Sequence, residues 1–363
     1  VGPVLTELAV PTTLAREPLD LVVVGAGIVG ALAAAQAVRR YPDWRVLLVD
    51  RALIGGGATR YSAALCIPFG RDEEHRRMER ESERFYRELR AELPGLPIRD
   101  LPCFVVAREG SLAEVRARCT AGDPREVPAE TLGSTFHGLS LAANERLLGG
   151  LAGSYALPEP VTTALALRAT VWEGVEITGA RSEGDGVELA TADGRAIAAR
   201  RAILAPGPWA LRQPGEDLAR GAGVRVKKVV ALHLDLCPGP DDPVLYFFDA
   251  DAFLLPVVER RHWLFSYTCQ VWDYAPEGSH RITEEDREKG LAILARYCPA
   301  FAARCTGGRV FCDSYGPEWV PVVTAAAAAP RIVLATAGSG AGYRLGPAIA
   351  RQALDKVTSG VWS

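Results

Sequence analysis

The first strong pattern in the chain is an apolar run, LDLVVV over residues 19–24, short and valine-rich, as in a strand buried on both faces of a parallel sheet. Before it, residues 1–18 are polar and proline-containing and predict a loosely docked arm. After it come Gly25-Ala26-Gly27-Ile28-Val29-Gly30 and then ALAAAQAVRR, a strong helix former. A second buried run, RVLLV over 45–49, ends at Asp50, so the opening predicts a βαβ unit. Residues 72–93 are densely charged, with Met78, Phe85, Tyr86 and Leu89 as an apolar stripe, and predict a solvated helix with one inner face. Residues 98–150 carry no clear period. From Leu157 the pattern predicts a loop and helix, then short strands separated by Gly/Asp turns to about residue 210. Strand-like runs continue over 224–270. A helix follows over 283–298, with Thr283 as its N-cap before an acidic first turn. Residues 309–312 and 332–335 are candidate strands, the alanine run 325–329 reads as a connecting segment, and a last helix covers about 347–357. No long internal repeat is present.

The glycine spacing at 25, 27 and 30 is a weak signal alone. Here it follows a buried strand, opens a helix, and precedes an acidic residue, Asp50, at the end of the next strand. Gly25 permits the tight turn, Gly27 lets backbone N–H groups approach a pyrophosphate, and Gly30 lets helix pack on strand. The helix N-terminus adds about half a positive charge. Asp50 can accept hydrogen bonds from ribose hydroxyls and would repel a 2′-phosphate, which disfavours NADP.

Composition narrows the field. At 363 residues the chain is long enough for two interleaved domains, and its 48% hydrophobic and 23% charged residues are ordinary for a globular protein. A net charge of −3 argues against a general nucleic-acid binder. No apolar run is long enough for a membrane span, and the first residues do not read as a secretion signal. The eight cysteines form no CxxC and no zinc spacing, so free thiols in a cytoplasmic setting are expected, with no metal site.

NAD and FAD share the first fingerprint, and later segments choose between them. Gly55-Gly56-Gly57-Ala58-Thr59-Arg60-Tyr61-Ser62-Ala63 follows the second strand; Ile203-Leu204-Ala205-Pro206-Gly207-Pro208-Trp209-Ala210 and Gly316-Pro317-Glu318-Trp319-Val320-Pro321-Val322-Val323 come later; Ala337-Gly338-Ser339-Gly340-Ala341-Gly342-Tyr343-Arg344-Leu345-Gly346-Pro347-Ala348 opens the last helix. In order and spacing, over about 19–358, these resemble the D-amino-acid-oxidase, glycine-oxidase and sarcosine-oxidase superfamily, the DAO family. The resemblance implies an α/β chain of mixed α+β character: a Rossmann-like FAD-binding domain with an interleaved substrate domain built on a mixed β-sheet. It implies a discontinuous FAD domain from 19–70, 145–215 and 306–363, and a substrate domain from 71–144 and 216–305. It also implies FAD contacts from the residues of the first fingerprint, Asp50, Arg51, Ala58, Thr59, Arg60, Ser62, the backbone of Val175 in a GVEI strand, Ala205, Gly207, Trp209, Gly338, Gly340, Ala341, Gly342, Tyr343 and Arg344.

The implied chemistry is oxidation of a C–N bond in an amine, an N-methyl or cyclic imino acid, or another amino-acid-like substrate, by hydride transfer to flavin N5. An oxidase of this kind passes the electrons to O2 and yields hydrogen peroxide. Such enzymes need position and field more than acid–base groups. Arg344 stands where sarcosine oxidases place a carboxylate-binding lysine, and a guanidinium there can grip a carboxylate bidentately. Asp313 stands where glycine and D-amino-acid oxidases carry a carboxylate-clamping arginine. Either the carboxylate is bound elsewhere, or the substrate carries a further cation or no free carboxylate, or Asp313 is turned into a structural bond. The strand 257–268 lacks the lysine that speeds oxygen reaction in sarcosine-type oxidases, and His262, Arg260 or Arg261 are the substitutes at hand. Tyr315 and Trp319 are placed near the flavin, and a dense set of aromatics between 246 and 274 is expected in core and pocket. Lys227 and Lys228 read as solvated. Cys312 lies close to the position where some relatives attach FAD covalently; an inert buried thiol with non-covalent FAD is the other reading. The alternatives are a 2-hydroxy-acid or amino-acid dehydrogenase using a non-oxygen acceptor, and a flavin-binding protein without turnover. The departures around the pocket suit a specialised biosynthetic tailoring step.

Overall fold

The computed structural model describes residues 19–359, so the arm expected over 1–18 lies outside the described residues. The apolar runs read from the sequence form a six-stranded sheet in the order Val322–Ala326, Ala329–Thr336, Ala202–Leu204, Leu21–Val24, Val46–Val49, Thr170–Trp172. Only the first pair is antiparallel. Both faces are covered, which is why the central strands are apolar throughout. Helices Ile28–Arg40, Pro158–Ala166 and Gly346–Thr358 pack on one face. A three-stranded antiparallel sheet, Ile177–Glu183, Gly186–Thr191 and Ala196–Ala199, covers the other through Ile177, Val187, Leu189 and Ile197.

A second sheet of eight strands lies over the first unit. Its order is Cys305–Tyr315, Arg225–Leu234, His262–Tyr267, Ala252–Val257, Val244–Phe247, Ile98–Arg108, Glu145–Ala156, Arg125–Val127, and it is antiparallel except where Val244–Phe247 meets Ile98–Arg108. Alternation assigns its two faces. Val230, Leu232, Phe265 and Val310 point to helix Glu284–Tyr297 and its Leu294. Ala231, Leu255 and Leu264 belong to the opposite face, toward the first unit. The expected Thr283 cap is a full capping box: Asp286 N donates to Thr283 Oγ1 at 3.2 Å and Thr283 N to Asp286 Oδ2 at 2.9 Å.

Several expectations are corrected. The charged helix is not among them: Glu73–Glu92 has the predicted extent, with Asp72 as N-cap, and its expected inner face, Met78, Tyr86 and Leu89 with Phe85 beside them, packs into the core of the nucleotide unit. Strands Glu145–Ala156 and Cys305–Tyr315 pair into the eight-stranded sheet. The divisions placed at 71, 145 and 306 fall at or within two residues of where these three elements begin. Residues 98–150 looked aperiodic because a register shift between Cys103 and Val105 breaks the alternation. The alanine run connects, but as a tight hairpin: Ala325 and Ala326 close one strand, Ala327 and Ala328 make the turn and Ala329 opens the next, so pairing overrides the weak strand propensity of alanine.

Candidate FAD and substrate site

Between the two units lies a cavity of about 1120 Å³. One end is built by the glycine turn. Gly25 has φ +102°, and a Cβ there would sit 2.3 Å from the Ala205 carbonyl oxygen; at Gly30 a Cβ would meet the Gly25 carbonyl oxygen at 1.8 Å. The turn therefore accepts only glycine at both positions, as close packing of strand, turn and helix requires. Asp50 does not merely face a ligand. Its Oδ2 accepts from Ala26 N at 2.6 Å and its Oδ1 from Ala52 N at 2.7 Å, so it also fixes the turn. Thr59 Oγ1 accepts from Ile28 N at 3.0 Å and ties the 55–63 loop to the first turn of the helix. Val175 lines the cavity and donates its N–H to the Asp50 carbonyl at 2.9 Å; it precedes the strand that begins at Ile177, so the expected GVEI strand starts two residues late.

Gly27, Ile28, Val29, Asp50, Arg51, Ala58, Thr59, Ser62, Ala205, Gly207 and Trp209 line this end, and Gly338 to Leu345 form one flank. The Trp209 indole N–H is buried without a partner among the described residues, and its ring lies under Arg51 at 4.6 Å. An orphaned donor, a glycine cradle and a helix N-terminus in one cleft fit a dinucleotide such as FAD. Arg60 departs from expectation: it turns outward to Glu159 at 3.3 Å and is not part of the lining, because in the short helix Ala58–Tyr61 the other three residues take the cavity side.

The other end is the roof. On the cavity face, Lys227 stands opposite Asp313, Val229 opposite Phe311 and Ala231 opposite Arg309. Arg309 donates to the carbonyls of Tyr61 (2.8 Å) and Ser62 (3.4 Å), clamping roof to loop, and burial lowers its pKa to about 10. Asp313 accepts from Ser314 N at 2.8 Å and Gly340 N at 3.1 Å. Burial pushes its carboxyl upward. Tyr315 lines the cavity, and burial raises its phenol well above the ordinary value. Arg344 also lines the cavity and donates to the Phe69 carbonyl. Asp251 accepts from Tyr246 Oη at 3.2 Å and Thr268 Oγ1 at 2.5 Å.

His262 and the lysine pair also depart from expectation. His262 is not in the lining: it stacks near His233 at 4.8 Å, approaches the Arg260 carbonyl at 3.3 Å, and burial lowers its pKa. Arg260 pairs with Glu159 at 3.2 Å, and Arg261 is exposed at the end of the turn. Lys227 and Lys228 are not solvated, being 2% and 6% exposed. Lys228 faces the helix side and pairs with Asp286 at 2.5 Å. Lys227 faces the cavity among Trp319, Tyr315 and Trp272, at 4.4, 4.5 and 5.4 Å from the ring centres. Cys312 is buried with its thiol pushed up to about 12 and does not line the cavity, whereas Phe311 and Asp313 on either side of it do.

Residues 20–355 match the family described as FAD dependent oxidoreductase (DAO), and the chain belongs to that family. A search of curated proteins finds no match. Similar solved structures include L-proline dehydrogenase from P. horikoshii, at 18% identity and TM-score 0.81 over 95% of this chain and 94% of that one. Glycine oxidase from Geobacillus kaustophilus follows at 16% and 0.75, covering 94% and 95%. NikD, described as an unusual amino acid oxidase essential for nikkomycin biosynthesis, is 17% identical with TM-score 0.77 over 94% of both chains. At these identities the likeness is one of fold. The chain is thus an FAD-dependent oxidoreductase, and no helix among the described residues is long and apolar enough to cross a membrane.

Proposed function

We propose that the protein oxidises a C–N bond of an amine or amino-acid-like small molecule, with FAD held without a covalent bond. The observation that carries this reading is the continuity of the cavity. The dinucleotide cradle at Gly25–Gly30 and the aromatic, cation-bearing roof at Lys227, Tyr246, Tyr315 and Trp319 belong to one space. The flavin supplies the two-electron oxidant. The chain's own residues supply position and dryness: Phe69, Tyr246, Phe248 and Phe253 wall the substrate end, and Arg309 holds the loop over the cofactor end. Arg344 is a candidate for gripping a substrate carboxylate, and it braces the turn at Phe69 meanwhile. Asp313 is committed to two backbone N–H groups, which favours the structural reading of that departure. Non-covalent FAD is supported by the side to which Cys312 points.

The test is an anaerobic titration of the FAD-loaded protein with pools of amino acids, N-methyl amino acids, cyclic amines and 2-hydroxy acids, followed by air. Bleaching by an amine pool supports the reading, and the speed of recovery in air separates oxidase from dehydrogenase. Bleaching by hydroxy acids alone overturns it, and a protein that takes up no flavin overturns it more completely. Acid precipitation that leaves the flavin on the protein would refute the non-covalent assignment.

A further inference from the structure

The cavity holds one charge whose partner is missing. Lys227 lies on the roof strand next to the Cys305–Tyr315 edge, 2% exposed, and its ammonium meets three aromatic faces. Rings satisfy a cation by their quadrupole but carry no countercharge. Among the described residues, no acceptor or carboxylate lies within bonding distance of its Nζ. Asp251 and Asp313 act on it through space but do not bond to it: Asp251 accepts from Tyr246 and Thr268, and Asp313 from the N–H groups of Ser314 and Gly340. A buried charge is ordinarily paired, and an unpaired one is costly unless a ligand completes it.

We propose that Lys227 is the anchor for the substrate's anionic group, a carboxylate that docks on the open side of the ammonium, opposite the three rings. The substrate is then an amino or imino acid with a free carboxylate and not a simple amine. This rests on the amine-oxidation reading and narrows it. A monoanion fits better than a phosphate, because a dianion would be set against Asp251 and Asp313 with one buried ammonium between them. The aromatic walls suit a substrate with a flat or apolar body. Arg71, stacked on Trp319 at 4.7 Å from its ring centre, adds positive potential from the solvent side.

The test uses the FAD-loaded protein with phenylacetate and its neutral isostere phenylacetamide, read by the change in the oxidised flavin spectrum. Wild type should bind phenylacetate at least about tenfold more tightly than the amide. Lys227→Met should lose that preference while still binding the amide, and Lys227→Arg should keep part of it. Arg344→Met is the control for the competing anchor. Preference lost in Arg344→Met but retained in Lys227→Met overturns the assignment, as does equal binding of acid and amide by wild type. Loss of both ligands in Lys227→Met, with flavin retained and thermal unfolding unchanged, also overturns it, since only packing would then be affected. If the protein takes up no flavin, the amine-oxidation reading fails, and the same pair is read calorimetrically on the flavin-free chain, where a Lys227-dependent acid preference still supports the anion site.

Discussion

Replacing Lys227 by methionine should make the unliganded protein more stable, and by an amount that depends on pH. Burial lowers the ammonium from 10.5 to about 8. At 1.36 kcal/mol per pH unit, that is about 3 kcal/mol against the charged form. Contact with three rings returns about 0.5–2 kcal/mol, so the net cost is about 1–3 kcal/mol. Methionine matches the lysine stem in length and keeps the contacts with Trp272, Tyr315 and Trp319. The sign follows from proton counts. Below pH 8 both folded and unfolded lysine are protonated and the full cost is present. Between about 8 and 10.5 the unfolded chain binds more protons, so wild type gains stability as pH rises. Lys227→Met should therefore unfold roughly 1–4 °C higher than wild type at pH 7. The difference should shrink toward zero by about pH 10. Paired thermal scans of the flavin-free proteins across that range measure it. The groups facing Lys227 are Asp251, Cys269, Asp313 and Arg71, with Tyr315 in the ring cage, and the curves are compared only as differences between the two proteins so that their titration cancels. A variant less stable than wild type at every pH would refute the reasoning, because the ammonium would then have an internal partner.

Three further outcomes follow from the geometry. Gly30→Ala sets a Cβ against the Gly25 carbonyl, which is backbone and cannot yield cheaply, so a loss of at least about 3 kcal/mol and of flavin retention is expected on thermal unfolding and gel filtration. Asp50→Ala removes two charge-assisted acceptors from the turn, and FAD affinity should fall about tenfold to a hundredfold by fluorescence titration, while an unchanged affinity would show that Asp50 serves the fold alone. Arg309→Met frees the carbonyls of Tyr61 and Ser62, so amide exchange should quicken across the 55–64 loop ahead of the rest of the chain; uniform quickening would argue against a local clamp.

The nucleotide half was legible because its information is local. Strand, glycine turn, helix and acidic stop occur within residues 19–50, and each glycine states a backbone constraint that the fold then imposes at Gly25 and Gly30. The roof was not legible, because its chemistry depends on register. Whether Lys227 is solvated or caged is decided by Trp272, Tyr315 and Trp319, which reach it from another loop, a neighbouring strand and the turn beyond it. The adjacent Lys228 has the same local sequence context and the opposite fate, set by alternation alone: it pairs with Asp286 on the helix side. Arg309 was invisible as a clamp for the same reason, since its partners Tyr61 and Ser62 lie far away in sequence.

The charge around the cavity carries the argument from cofactor to substrate. The chain as a whole is acidic, at −3, but net charge governs solubility and says little about a site. Every acid at the two working ends is engaged inside the protein. Asp50 holds the turn, Asp251 holds Tyr246 and Thr268, and Asp313 holds the loop at Gly340. The cations divide differently. Arg309 and Arg344 are drawn to backbone carbonyls, Lys228 to Asp286, and Lys227 alone among these is buried against rings with no hydrogen-bonded partner. Neutral donors hold those carboxylates in place without discharging them, so what marks the substrate end is the Lys227 ammonium, which lines the cavity and makes no hydrogen bond or ion pair among the described residues. An ammonium with hydrogen-bond donors left over is matched by a single carboxylate, and the Asp251 and Asp313 carboxylates on the same lining set the limit at one negative charge.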